Sequence, residues 1–319
     1  MKRLAFVFSL ITTLTLSFII YVFRYQIGDW YRLRGYQPGS EIVDLADKAS
    51  LNDYGRKLFY VNHPELLTAD EFNLHCPEKE KSVVLGCYNG TNIYLYNVDA
   101  TELSDVKQIT AAHEMLHAAY ARLSGDEKQS VNDWLKVAEA NIVNSRITQI
   151  IKSYGDLSDE ARFNELHSII GTEVANLPSF LEDYYSKYFV DRSEVVAASQ
   201  RYEGVFLKLE KQIAQYDEQL VSLSLNIRSV EATIENQVEV LDQKRQKLDL
   251  FYASEEYGKY NDSVPEYNRL VEIYNQAVEN LKQLISDYND IVNARNLLGV
   301  QQNNLAQSLD SHYKSLETK

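Results

Sequence analysis

With 319 residues, 45% hydrophobic and 24% charged, the chain has the composition of a folded protein with room for about two domains at ~150 residues each. Its formal net charge is -14, and it has no basic patch with interleaved aromatics and no glycine loop to cradle phosphate. A nucleic-acid partner is therefore excluded, because its phosphates call for Lys and Arg. Five prolines and twelve glycines are few, so long helices are expected.

Residues 1–3 read as a short cytoplasmic end, with Lys2 and Arg3 preceding an apolar run from Leu4 to Phe23 that Arg24 closes. A run of ~20 apolar residues is long enough to span the ~30 Å hydrocarbon core, so residues 4–23 read as a transmembrane signal anchor. A cleaved signal peptide is the competing reading, but Ile19-Ile20-Tyr21-Val22-Phe23 offers no small-residue cleavage site. No later run is long enough to span again. The chain is expected to be a single-pass protein of the cell membrane, with its N-terminus inside and the remainder extracytoplasmic. Lys2 and Arg3 favour that orientation, while Arg24, Arg32 and Arg34 pull against it.

Residues 24–40 read as a juxtamembrane connector ending at Gln37-Pro38-Gly39-Ser40, and residues 41–192 mix short strands with helices. Cys76 and Cys87 flank a segment that reads as a turn followed by a short strand. An extracytoplasmic location permits a disulfide between them. Thr91 to Val98 alternates apolar and polar positions after Asn89-Gly90, the pattern of a strand following a tight turn. A helix is expected from about Ser104 to Leu123. The capping box at Ser124 and Glu127 then starts another, to about Asn144. Ser158 caps a helix to about Val174, and Pro178 opens a short one through Phe189.

Residues 193–319 differ in character. Leu209, Ile213, Tyr216, Leu220, Leu223, Ile227, Val230 and Ile234 step by four and three, with polar faults at Gln237 and Lys244. The pattern breaks between Tyr257 and Pro265, then resumes at Tyr267, Val271, Tyr274 and Val278. Two such arms around one Gly/Pro break predict a long antiparallel α-helical coiled-coil hairpin that turns near 258–265. Such a hairpin offers a surface to a protein partner.

The chemistry lies in His113-Glu114-Met115-Leu116-His117. Histidines four apart on a helix project from one face about one turn apart, a spacing that suits two ligands of one Zn²⁺. Glu114 beside the first histidine is placed to take a proton from an attacking water, as a general base. Ala111, Ala112, Ala118 and Ala119 leave room for close packing around the motif. Leu123 stands where a third histidine of metzincin type would fall, and His63, His75 and His312 have no partners at metal spacing.

Over roughly residues 85–190 the sequence resembles the gluzincin metallopeptidases, the thermolysin-like group and its minimal members. The resemblance implies an α+β fold, a small zinc peptidase domain with a short sheet and several helices. It also implies an edge strand that pairs with peptide substrate, which Ile93-Tyr94-Leu95-Tyr96 would match. Asn164-Glu165-Leu166-His167-Ser168 looks like the thermolysin-type ligand motif, which makes Glu165 the third zinc ligand. One departure is Ile169, where that motif has an Asp that orients a ligand histidine. Glu173 is the alternative third ligand, on a similar face but roughly 12 Å along the helix axis. His167, two residues from Glu165, points elsewhere and reads either as a buried histidine or as a transition-state stabiliser. Tyr184, Tyr185 and Tyr188 read as packing residues before oxyanion donors.

The arrangement is also similar to bacterial membrane-anchored proteins that join such a domain to a coiled coil. The leading expectation is a membrane-anchored zinc metallopeptidase acting on a peptide or protein substrate. Two alternatives stand beside it: a structural or adaptor envelope protein with a coiled-coil spacer and a peptidase-like binding domain, and a zinc amidase acting on cell-wall material.

Overall fold

The structure is a computed structural model that describes residues 2–76 and 84–313, with side chains from Leu10 onward. The expected turn and strand between Cys76 and Cys87 therefore lie partly outside the described residues. The same is true of the last residues of the tail. Two compact units divide the chain: Met1–Val205 together with Leu305–Lys319, and Phe206–Asn304.

The first unit opens with α1 (Lys2–Val22) and α2 (Arg24–Leu33), whose described parts meet at a bend of 64°. Among the described residues no single helix is long and apolar enough to cross a membrane, but this bent pair passes together by length and composition. The connector expected at 24–40 is not loose. α2 occupies most of it and docks through Asp29, which is buried and held by Arg122 and Lys57. Next come α3 (Ser40–Lys48) and α4 (Asp53–Val61), the latter capped by the Asn52 side chain, which accepts from the Tyr54 and Gly55 amides. None of these helices carries a long enough periodic stripe to stand out in sequence.

The sheet has three strands: β1 (Glu65–Leu67), β2 (Gly86–Tyr88) and β3 (Ile93–Tyr96). Their order is β1-β3-β2, with β3 parallel to β1 and antiparallel to β2. Helix α5 (Ala69–His75) follows β1, and the disulfide Cys76–Cys87 ties its end to β2 across a Cα separation of 6.0 Å.

The centre of the unit is α6 (Val106–Ala121), buried along most of its length. It packs against α3, α4, β2, β3 and α9 (Asp159–Glu173). Two features let α6 and α9 approach closely. Ala111, Ala112, Ala118 and Ala119 are all buried. Gly171 has no room for a side chain, since a Cβ there would lie 2.4 Å from Leu116 Cδ1 and 2.7 Å from Tyr185 Cε1. Helix α7 (Gly125–Glu139) starts at the expected Ser124 capping box but ends earlier than expected. The chain then forms α8 (Ser145–Ser153), capped by Asn144, a helix that the sequence does not announce. Finally α10 (Ser179–Tyr185) precedes the long helices.

Those are α11 (Arg192–Ala253) and α12 (Tyr257–Leu309). Within the second unit the ion pairs Lys244–Glu266 at 2.8 Å and Arg295–Asp217 at 3.0 Å link the arms in antiparallel register, as a hairpin requires. The seam positions Ile213, Tyr216, Leu220, Leu223, Ile227 and Val230 are half-buried between exposed neighbours. The turn is displaced from the expected 258–265. It falls at Ser254-Glu255-Glu256, where Glu255 adopts φ 58° and the Glu256 amide donates to Phe251 O at 2.9 Å. This is a Schellman-type stop made without the glycine that normally announces it. Gly258 and Pro265 lie inside α12, so the Gly/Pro signal marked the start of the second arm and not the reversal.

Candidate metal centre

Because α6 presents His113 and His117 one turn apart, and α9 crosses it at a glycine, the Glu165 carboxylate meets both imidazoles. His113 Nε2 lies 3.7 Å from Glu165 Oε2, and His117 Nε2 lies 3.6 Å from Glu165 Oε1. The two imidazole rings stand edge to face, with centroids 4.7 Å apart. These separations are too long for hydrogen bonds. They are close to the ~3.4 Å between neighbouring ligands of a tetrahedral ion with bonds of ~2.0–2.1 Å. One ligand atom from each of the three residues lies within 4.8 Å of the others, and among the described residues no other His/Cys/Asp/Glu group meets that test. The donor set and its spacing fit one Zn²⁺.

Burial and the charges of neighbouring groups together set the protonation of the trio. Burial pulls the His113 imidazole down, but the Glu165 carboxylate beside it, with the charges of Glu114 and Glu173, lifts it to about 9. Burial holds His117 down, to about 4. Burial also pushes against ionisation of Glu165, yet the two histidines keep its carboxyl below the ordinary range.

The trio lies in a cleft of about 420 Å³ that Glu114 and Glu173 also line. Glu114 is 4% exposed. Directly over it runs β2. A Cβ on Gly86 would lie 2.5 Å from Thr110 Cγ2 and 2.8 Å from Glu114 Oε1, so only glycine lets this strand pass so close to the carboxylate. Here the structure corrects the expectation for Ile93-Tyr94-Leu95-Tyr96. That segment is β3, the central strand, with both edges already paired. The edge strand at the cleft is β2. Tyr96 donates its amide to Leu85 O at 2.8 Å, and Asn89 donates to Asn92 O at 3.2 Å. By the alternation of an antiparallel ladder, the main-chain groups of Gly86 and Tyr88 then face away from β3, along the free edge.

The two candidate glutamates separate cleanly. Glu165 joins the histidines, whereas Glu173 accepts from Arg146 Nη2 at 2.5 Å and from Ser199 Oγ at 3.3 Å. Arg146 is held in turn by Glu203, 3.4 Å from its Nε. His167 is not in the cleft. It is fully buried on the opposite side of α9, where Nε2 pairs with Tyr184 Oη at 2.9 Å, and Tyr185 Oη donates to its carbonyl at 2.8 Å. Tyr184 Oη also lies 3.3 Å from Tyr188 Oη. The three tyrosines are packing residues, and His167 is a core histidine, as its offset of two from Glu165 dictates.

Three contributors escaped the sequence reading: Gly86, Arg146 and the Asn164 side chain. Ile169 is buried and carries no polar atom to orient a ligand. Asn164 offers one instead. Its Oδ1 and the His117 Nδ1 are both buried and neither has a hydrogen-bond partner among the described residues, while the Asn164 side chain acts to raise the His117 imidazole. Comparison with protein-family models, with curated proteins and with solved structures finds no match to this chain.

Proposed function

We propose that this chain is a membrane-anchored, zinc-dependent metallopeptidase whose cleft lies on the extracytoplasmic side. The carrying observation is convergence. His113 and His117, placed on one helix by their spacing, and Glu165 on another, singled out by the resemblance, bring their ligand atoms within 4.8 Å of one another beside a buried Glu114.

When bound, zinc would lower the pKa of a water and polarise the scissile carbonyl. The chain's own residues do the rest. His113, His117 and Glu165 hold the ion, and Asn164 fixes the His117 ring. Glu114 accepts a proton from the attacking water as the new C–O bond forms, and later returns it to the leaving amine as the C–N bond breaks. The outward amide and carbonyl groups of Gly86 and Tyr88 pair with an extended substrate, which sets the peptide across the cleft. This is the role the resemblance gave to β3, transferred to β2.

Two observations support the location. The Cys76–Cys87 disulfide is of the kind kept outside the reducing cytosol. The side chains of Leu10–Phe23 are exposed, and the Thr15 hydroxyl donates to Ile11 O at 2.8 Å, which satisfies it within its own helix.

The decisive test uses the full chain in detergent, measuring zinc per chain and hydrolysis of a peptide library. Wild type should carry one zinc and cleave. Glu114→Gln should keep the zinc and lose about 10²–10⁴ in kcat, the usual contribution of a general base. Metal-replete wild type without zinc would sink the reading. A zinc-loaded chain inert on peptides but active on cell-wall amides would move it to the amidase, and one inert on both would move it to the adaptor.

A further inference from the structure

Helix α2 has two unlike faces. Tyr25, Asp29 and Arg32 face the body of the first unit. Asp29 takes two bonds from Arg122, at 3.0 and 2.8 Å, and one from Lys57 at 3.0 Å. Arg32 donates to Val61 O at 2.6 Å and to Thr91 O at 2.9 Å, and the Arg122 guanidinium lies over the Tyr25 ring. In the last turn of the helix the Arg32 carbonyl pairs with His63 Nε2 at 2.9 Å, and Tyr36, just beyond the helix, stacks on the same imidazole. The opposite face carries Ile27, Trp30 and Tyr31, exposed by 49%, 64% and 74%, with Arg24 and Arg34 at its two ends. Large apolar side chains are seldom left so exposed side by side on a helix that is otherwise firmly docked.

We infer that this outer face of α2 lies in the headgroup layer of an anionic bilayer and holds the catalytic body against the membrane surface. The inference rests on the anchored reading above and goes beyond it, since an anchor alone says nothing about how the body is held. Four observations favour lipid as the occupant. The face continues directly from α1, whose described side chains are all exposed and mostly apolar. The 64° bend turns the chain away from the direction of α1, so that α2 would run closer to the surface plane of a bilayer that α1 crosses. Trp and Tyr are the residues that settle at the water–lipid boundary. Arg24 and Arg34 supply the positive charge that anionic headgroups attract, on a chain whose net charge of -14 would otherwise be repelled. With Asp29 and Arg32 locking the other face, the cleft is carried at a fixed height, which favours substrates close to the membrane.

The chain contains two tryptophans, so Trp134→Phe leaves Trp30 as the sole reporter. The full-length variant is reconstituted in vesicles of phosphatidylcholine and phosphatidylglycerol, with or without bromine on the acyl chains near the headgroup. Zinc content checks its fold. Trp30 emission should be blue-shifted and should lose most of its intensity in the brominated vesicles. Arg24→Glu with Arg34→Glu should reduce that loss without changing zinc content. Trp30→Phe with Trp134 intact should abolish it. Emission unchanged by bromine, in vesicles from which the protein resists alkaline extraction, would overturn the inference while leaving the anchor standing. Quenching in a protein that alkali does extract would support the inference and remove the anchor. A blue shift that grows with protein concentration in detergent, with no quenching in vesicles, would assign the face to a second copy and overturn the lipid reading.

Discussion

Helix α9 separates two buried polar clusters that share a histidine-and-partner chemistry and differ in how it is satisfied. On one side His167 Nε2 pairs with Tyr184 at 2.9 Å and Tyr184 continues to Tyr188, a chain of ordinary hydrogen bonds, although His167 Nδ1 has no hydrogen-bond partner among the described residues. On the other side His113 and His117 stand 3.7 and 3.6 Å from the Glu165 carboxylate, beyond hydrogen bonding and near the spacing of ligands around one ion. The first cluster is joined by direct hydrogen bonds, as a piece of core is. The second is arranged around a point that all three side chains share. Burial and a displaced pKa are common to both, so neither property distinguishes a site from a core; ligand geometry does.

The comparison breaks most sharply at the third ligand. Glu165→Ala removes one of three donors and should weaken zinc binding by more than the ~100-fold that loss of an orienting partner can cost. Glu173→Ala should change affinity far less, because that carboxylate is engaged by Arg146. Competition with a zinc-chelating dye measures both. The opposite order would give the ligand role to Glu173 and dissolve the distinction between the clusters.

How much of this was legible in the sequence follows from the range of the interactions. His113, Glu114 and His117 are fixed by helical periodicity alone, and the capping signals at Ser124 and Ser158 are local, so these were readable. Glu165 needed the likeness of its flanking residues. The heptad arms were readable because a stripe repeats. Their turn was not, because Glu255 takes a left-handed conformation without a residue type that advertises it. The strand order was hidden too. Ile93–Tyr96 has the apolar character of a strand, but whether it is central or at the edge depends on β1 and β2 closing on it from both sides. Gly86 reads as one glycine among twelve until Thr110 and Glu114 are folded against it.

A smaller effect on zinc is expected at Asn164. The Asn164 side chain acts on the His117 imidazole, its Oδ1 and His117 Nδ1 are both buried without a hydrogen-bond partner among the described residues, and Ile169 supplies no polar atom. Asn164→Ala should lower zinc affinity about 10–100-fold, the range for loss of a partner that orients a metal-ligating histidine. Asn164→Asp should retain most of the affinity, because a carboxylate accepts the same proton. If alanine and aspartate lower affinity equally, Asn164 is only a packing residue.

The smallest effect on zinc is expected at His167, where the change should appear in stability instead. His167→Phe removes the bond to Tyr184, which keeps Tyr188 as a neighbour, and should cost about 1–3 kcal/mol near neutral pH with zinc affinity unchanged. The pH dependence gives a second readout. Burial first, and then the charges of His117 and His113, hold His167 down to about 3. The same imidazole in the unfolded chain titrates near ~6.5. Between those values the unfolded chain binds a proton that the folded chain does not. The stability tied to a neutral His167 is therefore fully present above ~6.5 and is lost as pH falls toward about 3, at up to ~1.4 kcal/mol per pH unit. Phenylalanine does not titrate. The gap between wild type and His167→Phe should consequently narrow as the solution is acidified, and can reverse, in denaturant midpoints measured on zinc-loaded protein. A gap that stays constant from pH ~7 to ~4 would mean that His167 protonates as readily in the fold as outside it. Burial would then not be what holds the His167 imidazole neutral.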